Sequence, residues 1–239
     1  MRSDVIYEFG PLVVGAVAAA LIAAYLWSRS RVASLFMVVW FGLAAAIGQV
    51  SFFEGPLTWA ESHALGFAAF GTLSFTPAVV LLIAVFSSER TRRFIAAIPT
   101  WALLLTQAYR VGGAFLIVAY LRGELPGEIG LVSGPLDLLV ATSSVVLAVR
   151  ARSHKTSSVR SSAIWSIVSL ADFAWAIAVL QFSYLGVIEL SPDPIMMGNP
   201  PLLVISLFAL PLAIVMSVIV LVRAIRPSLL NPSRQPAAR

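Results

Sequence analysis

Three ionisable residues interrupt stretches that are otherwise apolar: Arg110 in LLLTQAYRVGGAFLIVAYL, Asp137 in LVSGPLDLLVATSS and Asp172 in WSIVSLADFAWAIAVL. A guanidinium in such a setting can pair with a carboxylate or receive an anionic group, and a carboxylate can exchange a proton. An isolated charge at the centre of a bilayer costs about 2.5–3.5 kcal/mol on insertion scales, so each of these residues calls for a partner. From the turn near Glu124 it is about as far back to Arg110 as forward to Asp137. At about 1.5 Å of rise per residue, the two therefore lie at nearly the same depth on neighbouring antiparallel helices. Asp137 is the expected partner of Arg110. One arginine cannot fully neutralise two separated carboxylates, which leaves Asp172 three readings: it shares Arg110, it lines a hydrated cavity, or it stays protonated in a dry setting.

Further polar residues complete this set. Gln107 is three positions before Arg110 and so on the same helix face, where it could fill a spare valence of the pair. Gln49 and Gln181 lie within the second and sixth apolar runs, and Tyr109 is beside Arg110. Gly130, Gly134, Asp137, Ala141 and Ser144 recur at steps of three and four, a small-residue stripe that should face another helix rather than lipid. Glu54, Glu61 and His63 share one loop, but their spacing is not that of a metal site, and none is predicted. Cysteine is absent, and the only histidines, His63 and His154, fall in loops. Thiolate chemistry is thereby excluded, and no nucleophile and base stand at a useful spacing, so an enzyme is disfavoured.

The elements that must position these residues are set by composition. Of 239 residues 59% are hydrophobic and only 11% charged, with a mean hydropathy of +0.94, far from the soluble norm of about 25% charged. The chain reads as one all-α, polytopic membrane domain over residues 1–226, with seven spans at about 5–27, 32–53, 65–86, 94–121, 129–149, 163–184 and 202–222. Residues 227–239 read as a basic, proline-rich and disordered tail. Pro77 and Pro211 should interrupt their helices. The tryptophans at 27, 59 and 101 suit an interface, whereas Trp40, Trp165 and Trp175 fit either packing or a ligand wall.

Charge gives the orientation. With the N-terminus outside, thirteen of the sixteen basic residues fall in inner loops and the tail against one acid, Glu89; the outer segments hold eight acids and only Arg2 and Arg122. This bias predicts an external N-terminus and a cytoplasmic C-terminus. The first span follows Asp4 and Glu8 and precedes Arg29 and Arg31, the wrong polarity for a cleaved signal peptide. The net charge of +5 is topological, and no basic, aromatic-interleaved face points to nucleic acid.

Seven spans with an external N-terminus resemble the opsin and seven-helix receptor topology. Opsins hold retinal through a lysine in the last helix. Here the only lysine is Lys155 in an inner loop, so a retinal Schiff base is excluded and no cofactor is predicted. The plan also resembles SWEET-type carriers, though no repeat relates the first three and last three spans. The pattern Tyr109-Arg110-x-x-Gly113, Gly123-x-Leu125-Pro126, Gly134-x-x-Asp137, with LADFAWA around Asp172, is similar to that of a group of uncharacterised bacterial multi-helix membrane proteins. The resemblance covers residues 107–181 and implies the bacterial inner membrane without implying an activity.

Two functions of different class fit these residues. The first is a small-solute or proton-coupled carrier or ligand-binding membrane protein, in which Arg110 meets an anionic group and Asp137 or Asp172 exchanges a proton. It requires a cavity that reaches those side chains. The second is a structural or assembly subunit of a larger membrane complex, with the charge pair sealed and no cavity. The partners implied are bilayer lipids, with anionic lipid at the basic cytoplasmic loops. A small molecule joins them on the first reading, and a protein partner or second copy on the second.

Overall fold

The computed structural model describes residues 2–52, 64–153 and 159–230. The segment with Glu54, Trp59, Glu61 and His63, the residues His154 and Lys155, and residues 231–239 lie outside the described residues. Among the described residues every regular element is helical. In chain order they are α1 (Arg2–Trp27), α2 (Arg31–Ile47), α3 (Ala64–Ser87), α4 (Glu89–Ala97) and α5 (Thr100–Leu105), then a 3-10 segment (Thr106–Gly113) and α6 (Ala114–Leu121). A π segment (Glu128–Ser133) opens α7 (Gly134–Arg152), and α8 (Val159–Tyr184) follows. A short 3-10 turn (Pro194–Gly198) and a second π segment (Ile205–Ala209) precede α9 (Leu210–Ile225) and α10 (Pro227–Leu230).

Among the described residues six helical segments are long and apolar enough to cross a membrane: Val5–Trp27, Ala68–Ser87, Thr100–Leu121, Glu128–Arg152, Val159–Tyr184 and Ile205–Ile225. The second predicted span is shorter than expected. Instead of running to residue 53, α2 stops at Ile47 after 17 residues, because Gly48 and the polar Gln49 end the regular hydrogen bonding there. At 1.5 Å per residue it is about 25 Å long, against a hydrocarbon core of about 30 Å. The fourth span also starts later than predicted. Pro99 has no N–H and holds Ile98 extended (ψ 123°), so the chain breaks there; residues 94–97 belong to the separate α4, and the span proper begins at Thr100. By contrast α3 continues through Pro77.

Burial identifies the centre of the bundle. The fourth and last spans each bury 56% of their apolar window, against 22% for the third. The 3-10 segment and α5 pack on α7, α8 and α3 pack on α9, and α1 forms a hairpin with α2 while also touching the 3-10 segment. The outward faces carry exposed apolar side chains such as Val17, Leu21, Val39, Leu43, Val80 and Ile83, a surface that hydrocarbon, not water, would cover.

The ends of the bundle are clasped by polar contacts. At one end the Tyr7 hydroxyl donates to Glu124 Oε2 (2.6 Å), Glu124 pairs with Arg122 (2.8 Å), and the Arg122 guanidinium lies 4.8 Å from the Tyr7 ring centroid. At the same end the segment after α8 folds back inward. Tyr184 donates to Pro194 O (3.2 Å), Ser206 donates to Met197 O (3.0 Å), and Leu202 and Leu203 are fully buried. At the opposite end Arg223 donates to the carbonyls of Ile95, which also accepts the Ile98 N–H, and of Ile98, the residue that ends α4. The chain remains folded beyond the last span, since α10 packs near α4 and buries Leu230.

Candidate functional site

Arg110 sits on the 3-10 segment of the fourth span, and all three of its nitrogens are engaged. Nε donates to Asp137 Oδ1 (2.5 Å), one terminal nitrogen donates to Ser169 Oγ (2.5 Å), and the other donates to Asp172 Oδ2 (2.5 Å). The guanidinium carbon lies 4.2 Å from the centroid of the Phe173 ring. Ser169 in turn shares a 2.8 Å hydrogen bond with Ser217 of α9. One cation thus ties together four spans. The side chains of Arg110 and Asp172 are each 2% exposed and that of Asp137 is 14% exposed, so Asp137 is the more open carboxylate.

The expected Arg110–Asp137 pair is present, and Asp172 both shares the arginine and lines a cavity, two of its three readings that are met together. Gly113 makes the close approach between helices possible. A Cβ on Gly113 would overlap the Asp137 Cβ and lie 2.9 Å from Gly134 O. Gly130 is packed in the same way against Tyr120, and the small-residue stripe of α7 faces the fourth span.

The polar residues predicted around this cluster divide. Gln107 is fully buried but turns to α9, where its amide nitrogen donates to Ala213 O (3.4 Å); its Oε1 has no partner, and it does not reach the ion pair. Both residues lie on an eight-residue 3-10 segment, in which positions three apart still share a side, so what separates Gln107 from the pair is its bond to α9. Gln49 is excluded from the site, because α2 ends before it and it is exposed. Gln181 does line the cavity described below. Tyr109 is buried and donates to Ala209 O (2.8 Å).

A cavity of about 90 Å³ opens on the cluster. Arg110, Asp137, Asp172 and Ser133 bound it at mid-span, and Gln181, Tyr184 and Met197 bound it towards the end of the bundle where α8 finishes. The remaining wall is mostly apolar, including Phe70, Phe75, Phe173 and Phe208. Two buried polar atoms in the lining lack a partner: Asp172 Oδ1 and Ser133 Oγ. The Ser133 hydroxyl stands close enough to the Asp172 carboxylate to turn its proton towards it. A space this size exceeds the roughly 10–15 Å³ that one water needs, and it has polar groups to hold one.

Non-α backbone converges on this site. The 3-10 segment carries Arg110 and Tyr109, the first π segment ends at Ser133, and the second contributes Ser206 and Phe208 to the cavity. Both π segments are followed within two residues by proline, Pro135 and Pro211, which lacks the N–H that an α-helix would give to residues 131 and 207. The Leu207 carbonyl receives the Trp40 indole N–H instead (3.3 Å). Trp165 donates likewise to Val140 O (3.1 Å) and Trp175 to Glu128 O (3.0 Å). The three tryptophans whose role was open are backbone pins and not a ligand wall. Sequence reasoning missed Ser133 and Ser217; the signal for Ser133 was its place one turn before Asp137 on the small-residue stripe. Among the described residues no group of three or more His, Asp or Glu could hold a metal ion.

No curated protein and no solved structure matches the chain. A family model described as a domain of unknown function, DUF8737, matches residues 67–225, a stretch that contains Arg110, Asp137 and Asp172, and the chain belongs to that family.

Proposed function

We propose that this protein binds a small solute in the cavity above the Arg110–Asp137–Asp172 cluster, as a carrier or ligand-binding protein of a bacterial cytoplasmic membrane. The observation that carries this reading is the cavity itself, with the unpartnered Asp172 Oδ1 and Ser133 Oγ in its wall. A clamp that served only to dock helices would be expected to close over its charges and satisfy its polar atoms, since an unmet buried polar group costs about 1–3 kcal/mol. Function offsets such a cost where a ligand supplies the missing bond. In the proton-coupled form of this reading, Asp172 is the group that exchanges the proton.

The layout that goes with this proposal has seven spans, α2 being a short one, with the N-terminus outside and the C-terminus in the cytoplasm. The distribution of Lys and Arg supports it. So does the Tyr7–Glu124 clasp, which joins the start of α1 to the turn after α6, two segments assigned to the same side. The cavity then extends from mid-membrane towards the outer face.

Filling the cavity tests the proposal. Ala176 lines it and is only half-buried, so Ala176→Phe should be tolerated by the fold while removing the space. Native mass spectrometry of the wild type released from its own membrane should then show a small bound mass that the folded variant lacks. A wild type that emerges empty, or a mass retained by the variant, would count against solute binding at this site.

A further inference from the structure

We infer that the solute is an organic cation, a primary ammonium group on a small apolar or aromatic body; this deepens the solute-binding reading and rests on it. Charge is the first reason. Arg110, Asp137 and Asp172 are the only charged side chains in the cavity wall among the described residues. With both carboxylates ionised, the form that an arriving cation favours, one guanidinium against two carboxylates leaves a formal charge of −1. In a setting drier than water that surplus attracts a cation and opposes an anion.

The second reason is hydrogen bonding. An anion would have to compete for Arg110 with two carboxylates and a serine already in place, on a guanidinium that also has Phe173 4.2 Å away. The unmet valences lie instead on oxygen. Asp172 Oδ1 and Ser133 Oγ are buried on residues that line the cavity, and even with the Ser133 proton turned to the carboxylate both oxygens keep lone pairs that can accept. A carboxylate oxygen can only accept, and an ammonium brings three donors and no acceptor. The expectation that Arg110 meets an anionic group therefore gives way to one in which Arg110 fixes the position of Asp172, and Asp172 receives the ligand.

The third reason is the wall. Phe70, Phe75, Phe173 and Phe208 line the cavity with Leu180 and Ile177, which suits an apolar body, and aromatic faces attract ammonium groups.

Three probes of the same shape and different charge separate the possibilities: benzylammonium, benzyl alcohol and benzoate, titrated into the full-length protein in detergent at neutral pH by calorimetry. Wild type should bind benzylammonium about tenfold or more tightly than benzyl alcohol, the gain expected from a charge-assisted bond, and benzoate most weakly. Asp172→Asn should abolish the preference for the cation, bringing the benzylammonium and benzyl alcohol affinities together. Ser133→Ala, a milder change, should narrow the preference for benzylammonium over benzyl alcohol several-fold, and it serves as the test if Asp172→Asn does not fold. Benzoate or benzyl alcohol binding as well as benzylammonium would overturn the cation assignment and leave solute binding standing. Failure of all three to bind wild type, with the native protein also empty of any small mass, would overturn both.

Discussion

The peripheral helices and the polar centre of this bundle solve different problems with the same twenty or so residues per crossing. In α2 and α3 the backbone is regular, the outward residues are Val, Leu and Ile, and positions such as Gly42 and Gly71 have open space around them. In the fourth, fifth and last spans the helix changes to 3-10 or π geometry where the spans meet, glycines of the fourth and fifth sit against neighbouring backbone, and the ion cluster is shared by the fourth, fifth and sixth. Irregular backbone at membrane depth is tolerated only where it is buried in protein or lines a cavity. The difference teaches that regularity belongs to the lipid-facing helices and deviation to the places where side chains must converge.

Two glycines give the sharpest way to break this comparison. Gly113→Leu forces a side chain into Asp137 and the Gly134 carbonyl, both parts of the neighbouring helix, and should prevent folding into a monodisperse species by size-exclusion chromatography. Gly42→Ala has nothing within 4 Å and should leave the melting temperature unchanged or raise it slightly, by the roughly 1 kcal/mol that separates the two residues in a helix. Loss of folding in both would mean that the periphery is as constrained as the centre.

The ion cluster comes next in size. Arg110→Leu leaves two carboxylates without their cation and should cost about 3–5 kcal/mol. A second substitution should recover part of that loss, and Asp172→Leu should recover more than Asp137→Leu because Asp172 is the more deeply buried, 2% against 14% exposed. Equal recovery from both, read by thermal denaturation, would show that burial does not rank the two carboxylates. Additive losses would show that they are not partners of Arg110 at all.

Much of the site was legible because depth can be read from residue counts. Arg110 and Asp137 are nearly equidistant from the turn near Glu124, and Asp172 lies near the middle of its own span; depth alone therefore brought the three together. Counting along a helix cannot give the partner that a side chain takes on a neighbouring span. Gln107 was expected beside Arg110 on the rule that residues three apart share a face, a rule that 3-10 geometry also keeps, but its amide bonds across to Ala213 of the last span instead of to the pair. Gln49 was expected within a span that ends before it. Ser217, which completes the network through Ser169, carries no signal in a long apolar helix, since serine there commonly bonds to its own backbone.

The smallest expected effect concerns the pins. Trp40→Phe removes the donor to Leu207 O and should cost about 1 kcal/mol. Pro211→Ala restores an N–H that can reach the same carbonyl, so the cost of Trp40→Phe should shrink in that background. An unchanged cost would mean that Trp40 acts by packing against Phe208, whose ring centroid is 5.3 Å away.

The single arginine that ties four spans together also sets an order of events as the chain is made. Arg110 enters the membrane first and alone. Asp137 follows 27 residues later, so the membrane-embedded part of the fourth and fifth spans becomes electrically neutral as a hairpin before anything downstream exists. Asp172 comes 62 residues after Arg110 and is the charge with nothing left to cancel it, and Ser217 arrives last. The surplus on which the ligand assignment rests is thus added to an assembled neutral unit late in synthesis. The nascent protein has no complete binding site until its final helix is in place.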